Sequence, residues 1–169
     1  MSLPERIALV GFMGSGKTTV GRLLAGRIGY DFIDSDDHIE ARAQARVSDI
    51  FAEHGEAWFR RLEELAIRNL LELPRRVIAT GGGAFVHPGN AEVLLERAFT
   101  VHLCCEFEEA YRRASRQGGR PLALKGEEDV ASLYAERKDK YSRAHATIDT
   151  THLSPDEVVI GVLRLFSPA

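Results

Sequence analysis

The sequence predicts an α/β domain with a central parallel sheet, and three observations predict it. Apolar residues switch repeatedly between short unbroken runs and runs at helical spacing. The short runs lack polar alternation, as strands covered by helices on both faces require. A glycine-rich segment, Gly11-Phe12-Met13-Gly14-Ser15-Gly16-Lys17-Thr18, joins the first strand pattern to the first helical one.

Taken in order, Ile7-Ala8-Leu9-Val10 is the first strand. A helical pattern from about Lys17 to Ile28 carries Val20, Leu23, Leu24 and Ile28 and is closed by Gly29. Phe32-Ile33 is a second strand ending at Asp34. Helices follow over about Asp37 to Ala43, Ser48 to His54, with Ser48 as N-cap, and Ala57 to Leu73, halted before Pro74. Val77-Ile78-Ala79 is a third strand leading into Gly81-Gly82-Gly83. A helix around Asn90 to Arg97, a strand Thr100 to Leu103 and a helix around Phe107 to Arg116 come next. Gln117 to Gly126 is polar, glycine-rich and interrupted by Pro121, the composition of a loop. A helix from about Glu128 to Tyr141, a strand at Ala146-Thr147-Ile148 and a helix from Pro155 to Phe166 finish the chain. Leu103, Tyr111 and the Val158/Val162/Leu165 stripe are expected in the core. No repeat or linker divides the 169 residues, so a single domain over 1–169 is expected.

A net charge of −3 excludes nucleic acid and anionic membrane as main partners, since both demand a basic footprint. No apolar run approaches the roughly 18–20 residues of a membrane span, and no leader is evident. Cys104 and Cys105 are adjacent at the end of an apolar run, which reads as inert thiols in a reducing compartment. A cytoplasmic location and a monomer are the expectations. The histidines show no metal-ligand spacing and stay unassigned.

Gly11 to Thr18 matches G-x-x-x-x-G-K-[ST] between a strand and a helix. Successive backbone N–H groups can curl around phosphate oxygens only where side chains leave room, and Gly14 and Gly16 leave it. The following helix turns its positive dipole end to the anion. Lys17 would bridge β- and γ-phosphates, and the Thr18 hydroxyl would ligate Mg²⁺. A nucleoside triphosphate, ATP, with Mg²⁺ is the ligand expected there.

Asp34-Ser35-Asp36-Asp37 ends the second strand on the side where open α/β sheets bind ligands. One carboxylate could hold the metal through water and another could take a proton from a hydroxyl nucleophile; simple helix capping by Ser35 or Asp36 is the alternative. Gly81-Gly82-Gly83 permits either close approach to a ligand or a permissive turn. Of Arg60 and Arg61, one is expected in solvent and the other on an anion. Arg120, within the Gln117–Gly126 loop, could serve a closing lid or a plain surface loop.

These motifs together resemble the shikimate kinase family, from Ile7 to about Phe166 and in family order. The carriers are Gly11 to Thr18, Phe32-Ile33-Asp34-Ser35-Asp36, Glu56-Ala57-Trp58-Phe59-Arg60-Arg61-Leu62-Glu63, Thr80-Gly81-Gly82-Gly83-Ala84, Gly119-Arg120-Pro121-Leu122, and Glu136-Arg137-Lys138 through Tyr141. The resemblance implies a three-layer P-loop kinase fold of the nucleoside monophosphate kinase kind, with a central five-stranded parallel sheet flanked by helices. It implies a substrate-binding helical segment at about 34–62 and a lid loop at about 114–126. The implied reaction moves the γ-phosphoryl of ATP to the 3-hydroxyl of shikimate, on the route to aromatic amino acids.

In residues, the resemblance implies Lys17, Asp36 and Arg120 as the catalytic set. ATP would meet Gly14, Ser15, Gly16, Lys17, Thr18, Thr19, Arg113, Arg120 and Pro155, with Arg113 and Pro155 on either side of adenine. Shikimate would meet Asp36, Arg60, Gly81, Gly82, Gly83 and Arg137, its carboxylate between the two arginines. Thr18 and Asp34 would serve Mg²⁺. Two departures stand out. Asp139 occupies a stretch where many relatives have proline, which predicts a less interrupted helix there. Ala79 and Thr80 end the third strand where a metal-holding aspartate is common in P-loop proteins. The competing readings are another small-metabolite kinase, such as a gluconate kinase, and a non-catalytic ATP-binding regulator.

Overall fold

The computed structural model describes residues 3–117 and 126–167. Five strands form one sheet: β1 (Arg6–Val10), β2 (Asp31–Asp34), β3 (Arg76–Ala79), β4 (Phe99–Cys104) and β5 (Ala146–Asp149). Their order is β2-β3-β1-β4-β5, and every pairing is parallel. The helices are α1 (Lys17–Ile28), α2 (Ser35–Ala43), α3 (Val47–Leu70), α4 (Pro88–Arg97), α5 (Phe107–Gln117), α6 (Glu127–Lys138) and α7 (Pro155–Arg164).

The strand residues sort by parity into two cores, which makes the three layers. Ile7, Leu9, Val77, Val101 and Leu103 face Val20 and Leu24 of α1 and Val158, Val159 and Val162 of α7. Ala8, Val10 and Ile78 face the opposite side, with Ile67, Leu70, Phe85, Leu94, Val130 and Tyr141. Each fully buried aliphatic stabilises the fold by roughly 1.5–3 kcal/mol over its exposed state, which is why the strands read as unbroken apolar runs. A third, small cluster of Ile39, Ile50, Phe59 and Ala66 holds α2 against α3 apart from the sheet. Of the expected core residues, Leu103, Val158 and Val162 are buried, and Tyr111 and Leu165 pack partly buried against the two cores.

Gly29 closes α1 in the left-handed conformation (φ 69°), its N–H bonded to the Ala25 carbonyl, as expected. Ser154 opens α7 with a complete capping box to Glu157.

Four local expectations need correction. The helices expected over 48–54 and 57–73 are two arms of α3, which breaks at Gly55 (φ 78°, ψ 175°) and stops at Leu70. Ser48 is not the N-cap: Arg46 takes that position, and the Ser48 hydroxyl donates to Asp49 instead. Neither Ser35 nor Asp36 caps α2; Asp34 does, its carboxylate accepting the Asp36 N–H. The helix expected through Tyr141 ends at Lys138 and tightens into a 3₁₀ turn over Asp139–Arg143. Replacing proline by aspartate therefore does not lengthen α6, because the turn is set by the burial of Tyr141 in the core beneath it.

Among the described residues no helix is long and apolar enough to cross a membrane. Cys104 and Cys105 are free thiols, and burial pushes both above the usual cysteine range, which suppresses the reactive thiolate.

Candidate active site

Parallel strands bring the ends of β1, β2, β3 and β4 to one rim of the sheet, and the polar clusters lie along that rim. The Gly11–Thr18 loop leaves β1 and enters α1. Gly14 is required twice over: its φ is 73°, and a β-carbon on it would lie 2.0 Å from the Ala110 carbonyl oxygen. Phe12 packs edge-on against Tyr134, with ring centroids 5.2 Å apart, and so anchors the loop's tip. Lys17 is 6% exposed, and its ammonium donates to the Phe12 carbonyl at 2.7 Å, folded back over the loop. Ser15 is buried, and its carbonyl accepts from the Thr150 hydroxyl at 3.2 Å. Thr19, one residue into α1 past Thr18, is exposed.

Asp34 links the two halves of the rim. Its Oδ2 accepts from the Thr18 hydroxyl at 2.8 Å, while its Oδ1 accepts from the Asp36 backbone N–H at 3.0 Å. Hydroxyl and carboxylate oxygens side by side at a phosphate loop are the hard donors Mg²⁺ prefers, and Mg²⁺ keeps few protein ligands beside substrate phosphates and water. Among the described residues there is no group of three or more His, Cys, Asp or Glu suited to holding an ion. The donor set therefore fits Mg²⁺ on a nucleotide and not a self-sufficient metal cage.

The second glycine run is explained by what it lies against. A β-carbon on Gly81 would fall 2.6 Å from Asp36 Oδ1, and one on Gly83 would fall 2.7 Å from Arg60 Nη2. The Gly81 N–H donates to the Ser35 hydroxyl at 3.0 Å. Asp36 and Arg60, 24 residues apart in sequence, thus flank one short stretch of bare backbone.

Arg60 is held from behind. Its Nη1 donates to Glu63 at 2.8 Å, and its Nε and Nη2 donate to Glu56 at 3.3 and 3.1 Å. Burial works against the Arg60 charge, but Glu63 and Glu56 outweigh it and the guanidinium pKa is raised. Glu63 is 1% exposed and also accepts from the Asn90 amide at 3.3 Å. Burial raises its pKa, while Arg60, His87 and Arg137 pull it back, so the charges of both arginines are felt at this one carboxylate. Arg61 is exposed, which settles which of the adjacent pair points inward. Arg137 is half-buried in the last turn of α6, and its charge acts to lower the pKa of the nearby Tyr141 hydroxyl.

At the opposite end of the rim Arg113 is pinned. It donates to Glu109 at 2.6 Å and, through Nη2, to the carbonyls of Thr150 and Thr151 at 2.9 and 3.1 Å. Hydrogen bonds from Arg112 and then Arg113 hold the Glu109 carboxyl down at about 2. Pro155 is the exposed first residue of α7, four positions after Thr151. Arg120, and with it most of the expected lid at 114–126, lies outside the described residues.

The structure thus brings Lys17, Thr18, Asp34, Asp36, Gly81–Gly83 and Arg60 onto one rim, with Arg137 near enough for its charge to act on Tyr141 and Glu63. Sequence reasoning gave no role to Glu63, Tyr141, Thr150 or His102, and to Ser35 only that of a possible helix cap. An arginine–glutamate pair three residues apart on a helix was the available signal for Glu63. The other four contact partners at least 39 residues away, and no local spacing announces them.

Known proteins resemble the chain in both sequence and structure. The family description "Shikimate kinase" matches residues 13–166. A shikimate kinase of Moorella thermoacetica is 44% identical over 150 residues, spanning 88% of this chain and 86% of the relative. One from Pelotomaculum thermopropionicum is 38% identical over 162 residues, 95% of this chain and 94% of the relative. A solved shikimate kinase from Acinetobacter baumannii, in complex with shikimate, superposes with a TM-score of 0.92 at 37% identity, covering 96% of this chain and 93% of that one.

Proposed function

The chain belongs to the shikimate kinase family, and from that premise we propose that it transfers the γ-phosphoryl group of ATP to the 3-hydroxyl of shikimate. The observation that carries the acceptor half is the pairing of Asp36 and Arg60 across the Gly81–Gly83 backbone, opposite the phosphate loop. A cyclic polyol carboxylate matches it: Asp36 takes the hydroxyls, the glycines let the ring approach, and Arg60 with Arg137 holds the carboxylate. An acidic protein can hold two anions because those cations and Lys17 converge locally.

In the proposed reaction Lys17 leaves the Phe12 carbonyl and meets the β- and γ-phosphates, beside the loop's N–H groups. Asp36 orients the acceptor hydroxyl and accepts its proton as the new O–P bond forms and the bond to the ADP oxygen breaks. Alignment matters more than basicity here, because the transition state is loose. Arg113 and Pro155 flank the adenine side, Thr19 adds to the nucleotide contacts, and Arg120 closes onto the phosphates. Thr18 and Asp34 would hold Mg²⁺, which neutralises charge along the phosphates when bound. The reading takes residues 1–169 as a single domain, with an acceptor-binding segment at about 34–62, a lid at about 114–126, and a cytoplasmic monomer as the working form.

A coupled ADP-release assay with shikimate, quinate, gluconate and nucleoside monophosphates tests the proposal. Turnover with shikimate at millimolar concentration is expected; its absence refutes the reading. Asp36→Asn should lower kcat by about 10²-fold or more while ADP affinity stays within about twofold.

A further inference from the structure

Tyr141 touches several parts of the rim at once. It is 2% exposed, and its hydroxyl donates to the Gly82 carbonyl. The Arg137 guanidinium lies close enough to that same hydroxyl to act on its titration. Its ring stacks on His102, with centroids 5.0 Å apart and planes inclined by 24°. His102 is in register with Val10, the last residue of β1 before the phosphate loop. Gly82 in turn lies against that loop: a β-carbon on it would stand 3.5 Å from Met13 N and 3.7 Å from Gly11 O. The Phe12 carbonyl between them receives the Lys17 ammonium. Tyr141 is therefore bonded to a glycine that lies against the phosphate loop, with Arg137 near its hydroxyl at one end and Lys17 on the Phe12 carbonyl at the other.

We propose that Tyr141 is a positioning residue that fixes the Gly81–Gly83 backbone against the phosphate loop and ties the grip of Arg137 on the acceptor to it. Three successive glycines cannot hold one backbone conformation unaided, since each loses more freedom on ordering than any other residue. A tether to a buried phenol supplies the restraint. One oxygen donates to Gly82 while it faces the Arg137 charge, and both interactions are stronger in a dry interior than in water. Burial pushes the phenol up to about 12, so the hydroxyl keeps its proton and remains a donor throughout the physiological range.

The inference rests on the reading that the acceptor binds at this glycine run, and the test separates the two. Tyr141→Phe keeps the ring and its stack and removes only the oxygen. Steady-state kinetics on the full chain, with wild type alongside, should show the shikimate KM raised about three- to tenfold, the size of one net hydrogen bond, with the ATP KM within about twofold. A merely structural strut would lower the melting temperature and leave both KM values alone, and that outcome overturns the inference. An equal rise in both KM values overturns it too. Should Tyr141→Phe fail to fold, judged by ADP binding, His102 variants decide. His102→Ala, which removes the stacked ring, should raise the shikimate KM more than His102→Phe, which supplies one; equal values overturn the inference. Failure of the wild type to turn over shikimate would instead strike the proposed function.

Discussion

Arg60 and Glu63 sit three residues apart on α3, and their geometry decides what substitution does. The guanidinium spends Nη1 on Glu63 and Nε and Nη2 on Glu56, a fork that an ammonium cannot reproduce. Arg60→Lys should therefore raise the shikimate KM at least about fivefold with the ATP KM within about twofold; equal changes in both would show that Arg60 does not grip the acceptor. His102 makes the second case. Burial, then the nearby Lys17 charge, pushes it down to about 4. A lowered folded pKa means the neutral ring contributes stability in full above the ordinary value near 6.5, and the contribution is lost as pH falls through 4. His102→Phe should consequently lose less stability than wild type between pH 6.5 and 4, by about 2–3 kcal/mol, in urea unfolding followed across that range. Parallel curves for the two proteins would show that the imidazole is not desolvated.

At the scale of elements, two glycines that look alike in sequence differ in what they exclude. Gly14 faces the backbone carbonyl of Ala110, which cannot yield, whereas Gly83 faces the tip of the long Arg60 side chain, which can. Gly14→Ala should lower stability by several kcal/mol and abolish nucleotide binding, through strain and overpacking. Gly83→Ala should leave the melting temperature within about 2 °C of wild type and raise the shikimate KM, because Arg60 moves aside. Calorimetry with kinetics separates the two. The helices themselves were legible: among the described residues apolar spacing located every α-helix, two of those expected being the arms of α3, and Gly29 closes α1 as its residue type suggests. What misled were end effects that depend on tertiary partners. Asp34 caps α2 because it also reaches Thr18, and α6 stops at Lys138 because Tyr141 must enter the core. Thr18 lies 16 residues from Asp34, and the core that receives Tyr141 includes Ile78, Phe85 and Leu94, all distant in sequence.

For the whole molecule, the sheet carries two extensive cores while α2 and the first arm of α3 rest on a cluster of four buried residues. Stability should be correspondingly uneven. Amides of Ser35–His54 should exchange faster than those of β1, β3 and β4, and shikimate should slow them selectively. Uniform exchange across both regions would contradict that division. The phosphate loop was legible because its chemistry is confined to eight consecutive residues. The roles proposed for the acceptor residues came through resemblance, since Asp36, Arg60 and the Gly81–Gly83 run come together only in the folded chain. The strand order adds one consequence. Along the rim, β2 carries Asp34, β3 leads to the glycine run, β1 feeds the phosphate loop, and β4 and β5 lead to the turn that pins Arg113. Four gaps of about 4.8 Å make the sheet a ruler of about 19 Å, and in the proposed reaction acceptor, phosphates and base would be set out in sequence along it. Preference for the acceptor can then be altered at one end of the ruler while the nucleotide end keeps its dimensions.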